Sequence, residues 1–271
     1  MNKWIKGILV YVVTLLLINF LPIFLCFSPA QELSGLQIMV NEDTREDGDD
    51  QTSGSIFHLI NKRGQKRVRD TVRRWKDCDG KDGFDEKTII FFQSPPEVEG
   101  TGFLNWSYID ITKDDDQWLY LPALRKIKRI SASDKEDSFM GTDFTFDDMG
   151  DRQVEEDAHK RIGQETFENK KCYLIESTPK ERNYMYSKKL VWVVDGEWII
   201  PKVEFYDRKG RLLKHLHVKW HKVQGMWTWE GCVMKNVQTE HQTVIEVKDT
   251  KFNLGFKDTL FTQRTLRREG K

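Results

Sequence analysis

From residue 56 onward the sequence is a succession of short segments in which apolar and polar residues alternate. Alternation with a period of two predicts strands that bury one face. Short turns such as Lys62-Arg63-Gly64 and Asp195-Gly196 separate the segments, so consecutive strands are expected to pair antiparallel. Long βαβ spacing is missing from the pattern, which disfavours a doubly wound fold. The predicted strands are residues 55–61, 65–75, 87–93, 103–111, 117–121, 126–131, 161–168, 171–177, 187–194, 197–207, 211–222, 226–238 and 241–252.

About a dozen such strands predict a large antiparallel meander that encloses the interior of a barrel or half-barrel. A short amphipathic helix is expected over residues 31–40, where apolar residues recur at helical spacing. Residues 138–160 interrupt the alternation with aromatic, acidic and glycine residues, which indicates an irregular or partly helical excursion. The predicted fold class is therefore mainly β, an open antiparallel β-barrel with short α-helical elements.

The first thirty residues differ in character from the rest. Two lysines precede an almost wholly apolar run, and Ser28-Pro29-Ala30 then supplies the small residues that a signal peptidase reads. This order predicts a signal peptide over residues 1–30, one domain over residues 31–271, and export to the periplasm. The apolar run is also long enough to remain as an uncleaved inner-membrane anchor, which is the alternative.

The amino-acid composition limits the classes of partner that the chain can bind. Acidic and basic residues number 43 each, which argues against bulk attraction to nucleic acid. Three cysteines lie beyond the predicted signal peptide, namely Cys78, Cys172 and Cys232. In an oxidising compartment Cys172 and Cys232 could form a disulfide or remain as two buried thiols, and both alternatives stay open at this point.

Three blocks between residues 89 and 150 carry a family resemblance: "FFQSPPEVEGTGFL", "DDDQWLYLPALRKIKRIS" and "DSFMGTDFTFDDM". Together with "PKVEFYDRKGRLLK" and the closing "LFTQRTLRR", they resemble the outer-membrane lipoprotein-sorting proteins of the LolA-like superfamily, in the same order along the chain. The resemblance implies an incomplete β-barrel of about eleven strands, closed at one side by a helical lid.

The resemblance also implies a function. The apolar interior would hold lipoprotein acyl chains or another lipid-like molecule, and an inner-membrane exporter of the resistance-nodulation-division type would be a partner. We therefore expect a monomeric periplasmic carrier, with transient contact with the membrane surface and without a cofactor. The alternative is an envelope regulatory or scaffold module of the same fold that binds a protein.

Aromatic and methionine side chains concentrate in one third of the predicted domain. Such side chains give adaptable apolar contacts, so they are the candidates for the wall or lid of a ligand cavity, although large side chains also pack ordinary cores. The candidates are Trp106, Trp118, Tyr120, Phe139, Met140, Phe144, Phe146 and Met149.

The most basic stretch of the sequence contains Arg125, Lys126, Lys128 and Arg129. These side chains are candidates for contact with anionic headgroups or with an acidic partner. The alternative is a solvated strand edge that positive charge protects against pairing with another chain.

Two further clusters contain residue types that can bind metal or transfer protons. His215, His217 and His221 share one face of a predicted strand, but an outward polar face explains them better than a metal site. Four aspartates at positions 143, 147, 148 and 151 are expected to cap short helical turns or to face water, because no nucleophile and histidine accompany them. We therefore expect a binding protein and not an enzyme.

Overall fold

A computed structural model of the protein describes residues 32–270, so the predicted signal peptide lies outside the described residues. Within this part of the chain, thirteen strands form one antiparallel sheet. The strands are β1 (Asp50–Ile60), β2 (Lys66–Asp77), β3 (Phe84–Ser94), β4 (Gly102–Tyr108), β5 (Asp116–Leu121), β6 (Lys126–Ile130), β7 (Asp157–Phe167), β8 (Lys170–Pro179), β9 (Tyr186–Val194), β10 (Lys202–Asp207), β11 (Leu212–Val223), β12 (Met226–Asn236) and β13 (Gln242–Phe252).

The sheet is built from two meanders that meet at a seam. The first meander runs outward from β1 to the edge strand β6, and the second returns from the other edge strand, β7, to β13. Pairing of β1 with β13 joins the two meanders. Because β6 and β7 are the two edges, the sheet stays open, and residues 131–156 connect these edges. The predicted fold class is confirmed, with thirteen strands where the resemblance implied about eleven.

In residues 32–270, two short α-helices accompany the sheet, α1 (Gly35–Asp43) and α2 (Gln263–Glu269). Helix α1 begins after Ser34, whose side chain and that of Gln37 cap each other's backbone amides, so it starts later than the predicted residues 31–40. It packs against β7, β8 and β9. Neither of these helices is long and apolar enough to cross a membrane.

The predicted strand over residues 197–207 is shorter in the structure, because β10 begins only at Lys202. Trp198 adopts a left-handed backbone conformation with φ of 52°, and Pro201 has no amide hydrogen to donate to a ladder. Both features keep the preceding residues in a loop.

Helix α2 covers the outer face of the sheet near one edge, where it packs on β4 and β5. Gly102 allows this close approach, since a Cβ atom there would lie 2.7 Å from Cδ1 of Leu266. The resulting cluster has apolar side chains from β3, β4, β5 and the C-terminal segment, namely Ile89, Phe91, Leu104, Trp118, Tyr120, Phe261 and Leu266. Both faces of the sheet are therefore buried in this region.

Leu266→Ala should lower the free energy of unfolding by about 2–5 kcal/mol, because Leu266 is fully buried and its truncation leaves a cavity under α2. Arg267→Ala, on the exposed side of the same helix, is the control and should change it by less than about 0.5 kcal/mol. Denaturant unfolding measures both values. Equal effects of the two variants would contradict the packing role of α2.

Candidate functional site

The concave face of the sheet contains a cavity of about 360 Å³. Small polar side chains on three neighbouring strands leave this space open. Ser55 on β1 lies directly opposite Thr71 on β2, and Thr88 on β3 lies opposite Trp75 on β2. The remaining walls are largely apolar and come from β12, β13 and the segment that connects the sheet edges, with Phe144, Met149, Trp227, Trp229, Ile245, Val247 and Phe252 among them.

One end of the cavity is polar, and Arg73 of β2 is its centre. Nη1 of Arg73 donates a hydrogen bond of 2.9 Å to Oε1 of Gln51, and Nη2 lies 3.4 Å from Oγ1 of Thr88. Glu86 of β3 lines the same end and accepts a hydrogen bond from Nε1 of Trp75. Arg73 and Glu86 are both half-buried, so each keeps some surface toward the space that it lines.

Burial shifts the protonation of acids at this end of the cavity. Desolvation raises the pKa of Glu86 to about 7, although the nearby Arg73 guanidinium opposes the shift. Desolvation likewise raises the pKa of Asp47, another lining residue, to about 6, against the attraction of Arg45. Near neutral pH both carboxyl groups therefore exist partly in the uncharged form.

Residues 131–156, here called the crossing segment, run from β6 to β7 and bond to strands of both meanders. Its central contact is an ion pair of 2.6 Å between Oδ2 of Asp148 and Nζ of Lys214 on β11. Tyr186 of β9 also donates a hydrogen bond to Asp148. Burial alone would raise the pKa of Asp148, but the charge and hydrogen bond of Lys214 hold it below its ordinary value.

Further hydrogen bonds fasten the crossing segment on either side of this ion pair. Asp143 accepts hydrogen bonds of 2.7 Å from both His241 and Thr243 of the second meander. From the first meander, Gln117 donates to the carbonyl of Phe146, and Arg69 donates to that of Met140. Asp148 caps its turn as expected, because it also accepts a hydrogen bond of 2.8 Å from the amide of Thr145. The expectation that these aspartates face water is wrong for Asp143 and Asp148, which are buried against partners on the strands beneath them.

Five of the predicted cavity residues lie on the crossing segment. Phe144 and Met149 line the cavity. Phe139 and Phe146 pack against each other edge to face, with ring centroids 5.5 Å apart, and both contact Phe103 of β4. Their rings form the apolar underside of the segment beside the cavity.

Met140, the fifth of these residues, contributes its backbone carbonyl to the contact with Arg69 and adopts a left-handed conformation with φ of 51°. Strain of this kind in a residue other than glycine costs on the order of 1 kcal/mol and persists only where surrounding contacts impose it.

The remaining three predicted cavity residues occupy the opposite face of the sheet. Trp118 and Tyr120 belong to the cluster under α2, and Trp106 packs against it. The cause is the alternation along β4 and β5, where Asn105 and Gln117 point to the concave side and their neighbours point outward. The structure therefore does not bring these three side chains together with Phe144 and Met149.

The basic stretch forms edge strand β6 and the turn before it. Arg125 has a left-handed conformation with φ of 49°, and Lys126 is exposed. Lys128 pairs with Asp134 at 2.9 Å, and Arg129 pairs with Asp116. Two of the four charges thus have internal partners, which is consistent with a protected strand edge.

The cysteines and histidines do not form a second site in residues 32–270. Cys78, Cys172 and Cys232 are free and buried, so the structure has the buried thiols and not the disulfide. His215 and His217 stack with ring centroids 5.1 Å apart. No group of three His, Cys, Asp or Glu side chains in this part of the chain is arranged to hold a metal ion.

The chain is similar in sequence and fold to several proteins of known structure. A protein-family profile described as "Uncharacterized protein" matches residues 84–268. A domain from Vibrio parahaemolyticus, described as an outer membrane lipoprotein-sorting protein domain, is 32% identical over 86% of this chain and 98% of its own, with a TM-score of 0.81. No curated protein matches the chain.

Two further structures are similar. A DUF1329 family protein from Desulfovibrio piger is 31% identical over 86% of this chain and 97% of its own, with a TM-score of 0.81. A LolA superfamily protein from Nitrosomonas europaea is 17% identical over 86% of this chain and all of its own, with a TM-score of 0.68, a likeness in fold.

Lys214→Met should lower the free energy of unfolding by about 3–5 kcal/mol, because it leaves the Asp148 carboxylate buried without its partner charge. Adding Asp148→Asn should recover part of that loss. Lys219→Met, exposed on the same strand, should change stability by less than about 0.5 kcal/mol. Denaturant unfolding provides the values, and a similar small effect of both lysine substitutions would show that the ion pair does not hold the crossing segment.

Stability should fall as pH rises from about pH 5 to about pH 8. Because the pKa of Glu86 is raised to about 7, the folded chain keeps a proton that the unfolded chain has already released, and raising the pH favours unfolding. Glu86→Gln should reduce this dependence in part, because Asp47 has a raised pKa of about 6 and contributes with the same sign. Glu230→Gln, at an exposed position on β12, should leave it unchanged. Denaturant unfolding midpoints measured from pH 5 to pH 8 test the direction of this change. A midpoint that rises with pH would contradict the prediction.

Proposed function

We infer the function of this chain from its family: it belongs to the outer-membrane lipoprotein-sorting proteins of the LolA-like superfamily and, within them, to the DUF1329 family. We propose that residues 31–271 form one domain that acts in the periplasm as a carrier or chaperone for lipid-like cargo. The cargo would occupy the cavity on the concave face. The observation that carries the proposal is that this cavity is open space with apolar walls from several strands and from the crossing segment, and with a polar end at Arg73.

The chemistry of the walls supports an apolar ligand. Burying a methylene group in such surroundings is worth about 0.8 kcal/mol, so a single acyl chain would bind without any specific polar contact along its length. A cavity of about 360 Å³ lies at the small end of ligand sites in proteins, which favours one chain over several. A scaffold module that binds only protein would not need this internal space.

The crossing segment is the proposed gate. Phe144 and Met149 contribute cavity wall and flank the buried ion pair of Asp148, so release of the segment would expose the cavity. Entry and exit of cargo would then require breaking contacts to both meanders. These contacts would break when the carrier transiently touches a membrane surface or an inner-membrane exporter. The carrier would act as a monomer and without catalysis.

The proposal predicts that protein purified from its native compartment carries a lipid in a fixed ratio. Ser55→Trp should abolish the bound lipid, because the indole fills space that the serine leaves empty on the cavity wall. Thr166→Trp, exposed on edge strand β7, is the matched control and should retain the lipid. Native mass spectrometry followed by lipid extraction measures the ratio, with circular dichroism confirming that both variants fold. A lipid-free protein that also ignores added fatty acid and phospholipid would overturn the carrier.

A further inference from the structure

We propose that the polar end of the cavity is a headgroup site for a long-chain carboxylate, which binds with its head at Arg73 and its chain along the apolar walls. The inference rests on the proposed carrier function and names the class of its cargo. It differs from the expectation of lipoprotein cargo, because acyl chains joined to a protein through ester or amide bonds have no free carboxylate.

The first support is the position of Arg73. It lies inside the sheet, not at its rim, on a strand whose two neighbours also line the cavity. The hydrogen bonds of its guanidinium go to the neutral side chains of Gln51 and Thr88. A guanidinium has five N–H donors in a planar fork, so these two bonds leave donors that can meet the two oxygens of a carboxylate.

The second support is that the structure orients Arg73 before any ligand arrives. Gln51 on β1 and Thr88 on β3 bind the guanidinium from its two sides, and each occupies a strand position opposite Trp75. Three paired strands therefore fix one side-chain geometry. A charged group held in place in this way loses little rotamer freedom on binding, which is a property of recognition sites.

The third support is the contrast between Arg73, which is half-buried, and Lys214 of β11, which is fully buried. Lys214 is neutralised by Asp148 at 2.6 Å, within the structure itself. Arg73 instead has two carboxyl groups as neighbours, Glu86 and Asp47, and burial raises the pKa of each, so near neutral pH both are partly uncharged. Unlike Lys214, which pairs directly with a carboxylate, Arg73 donates its hydrogen bonds to Gln51 and Thr88 and keeps donors for a bound anion.

The space beyond this end suits the remainder of such a ligand. Thr71 and Ser55 are small, and the other lining side chains include Phe144 and Met149 of the crossing segment and Ile245 of β13. Contact with these apolar walls stabilises a bound hydrocarbon chain. A cationic headgroup would be repelled by the positive charge of Arg73. The combination selects a molecule with one anionic end and one apolar chain.

Calorimetric titration of the full chain with palmitate and with hexadecanol tests the site. The two probes share a hydrocarbon chain and differ at the head. Wild type should bind palmitate about tenfold to a hundredfold more tightly, as expected for a hydrogen-bonded charged group. Arg73→Met should lose this preference while it still binds hexadecanol. Arg74→Met is the matched control, because the adjacent side chain points to the outer face and pairs with Glu269 at 2.7 Å.

The outcomes separate the two proposals. Equal binding of palmitate and hexadecanol to wild type, or an unchanged preference in Arg73→Met, would overturn the headgroup site and leave the carrier standing. Failure of wild type to bind either probe would overturn the headgroup site, whereas the carrier is decided separately by the lipid that the purified protein retains and by its binding of added phospholipid. The wild-type comparison decides the matter even if Arg73→Met does not fold.

Discussion

The buried ion pair between Asp148 and Lys214 joins the segment that crosses the concave face to the strand beneath it, and the shape of the cavity depends on that junction. An ion pair in such surroundings contributes little net stability, because removing two charges from water is costly. The ion pair instead fixes the position of the crossing segment, because any other position would leave a buried charge unpaired, which is strongly unfavourable. In this position of the segment, Phe144 and Met149 line the cavity.

Much of the fold could be predicted because strand formation leaves a local mark in the sequence. Alternation with a period of two located most strands, and the loss of alternation after residue 138 located the crossing segment. Helix positions were predicted less accurately, because apolar spacing alone does not mark where a helix begins, which the capping pair Ser34 and Gln37 does. The helix over Gln263–Glu269 was not predicted. The open sheet itself followed from the number of strands and the short connections, together with the family resemblance.

The candidate site was only partly predictable, and the reason is the same alternation. A period of two separates the faces of β4 and β5 but does not say which face is concave, so Trp106, Trp118 and Tyr120 were grouped with residues that they do not meet. The C-terminal helix, which buries the outer face as well, removes the usual contrast between wet and dry sides. Arg73 and Glu86 were missed because charged residues in a strand are normally assigned to solvent.

The seam between β1 and β13 has a consequence for how the chain reaches its fold. Each meander consists of neighbours in sequence, so hairpins can form as soon as their strands are available. The seam, in contrast, pairs the first strand of the described chain with the last, and β1 must keep an unpaired edge until β13 exists. During synthesis, that edge is open to pairing with other chains, which makes the interval before seam closure a period of aggregation risk.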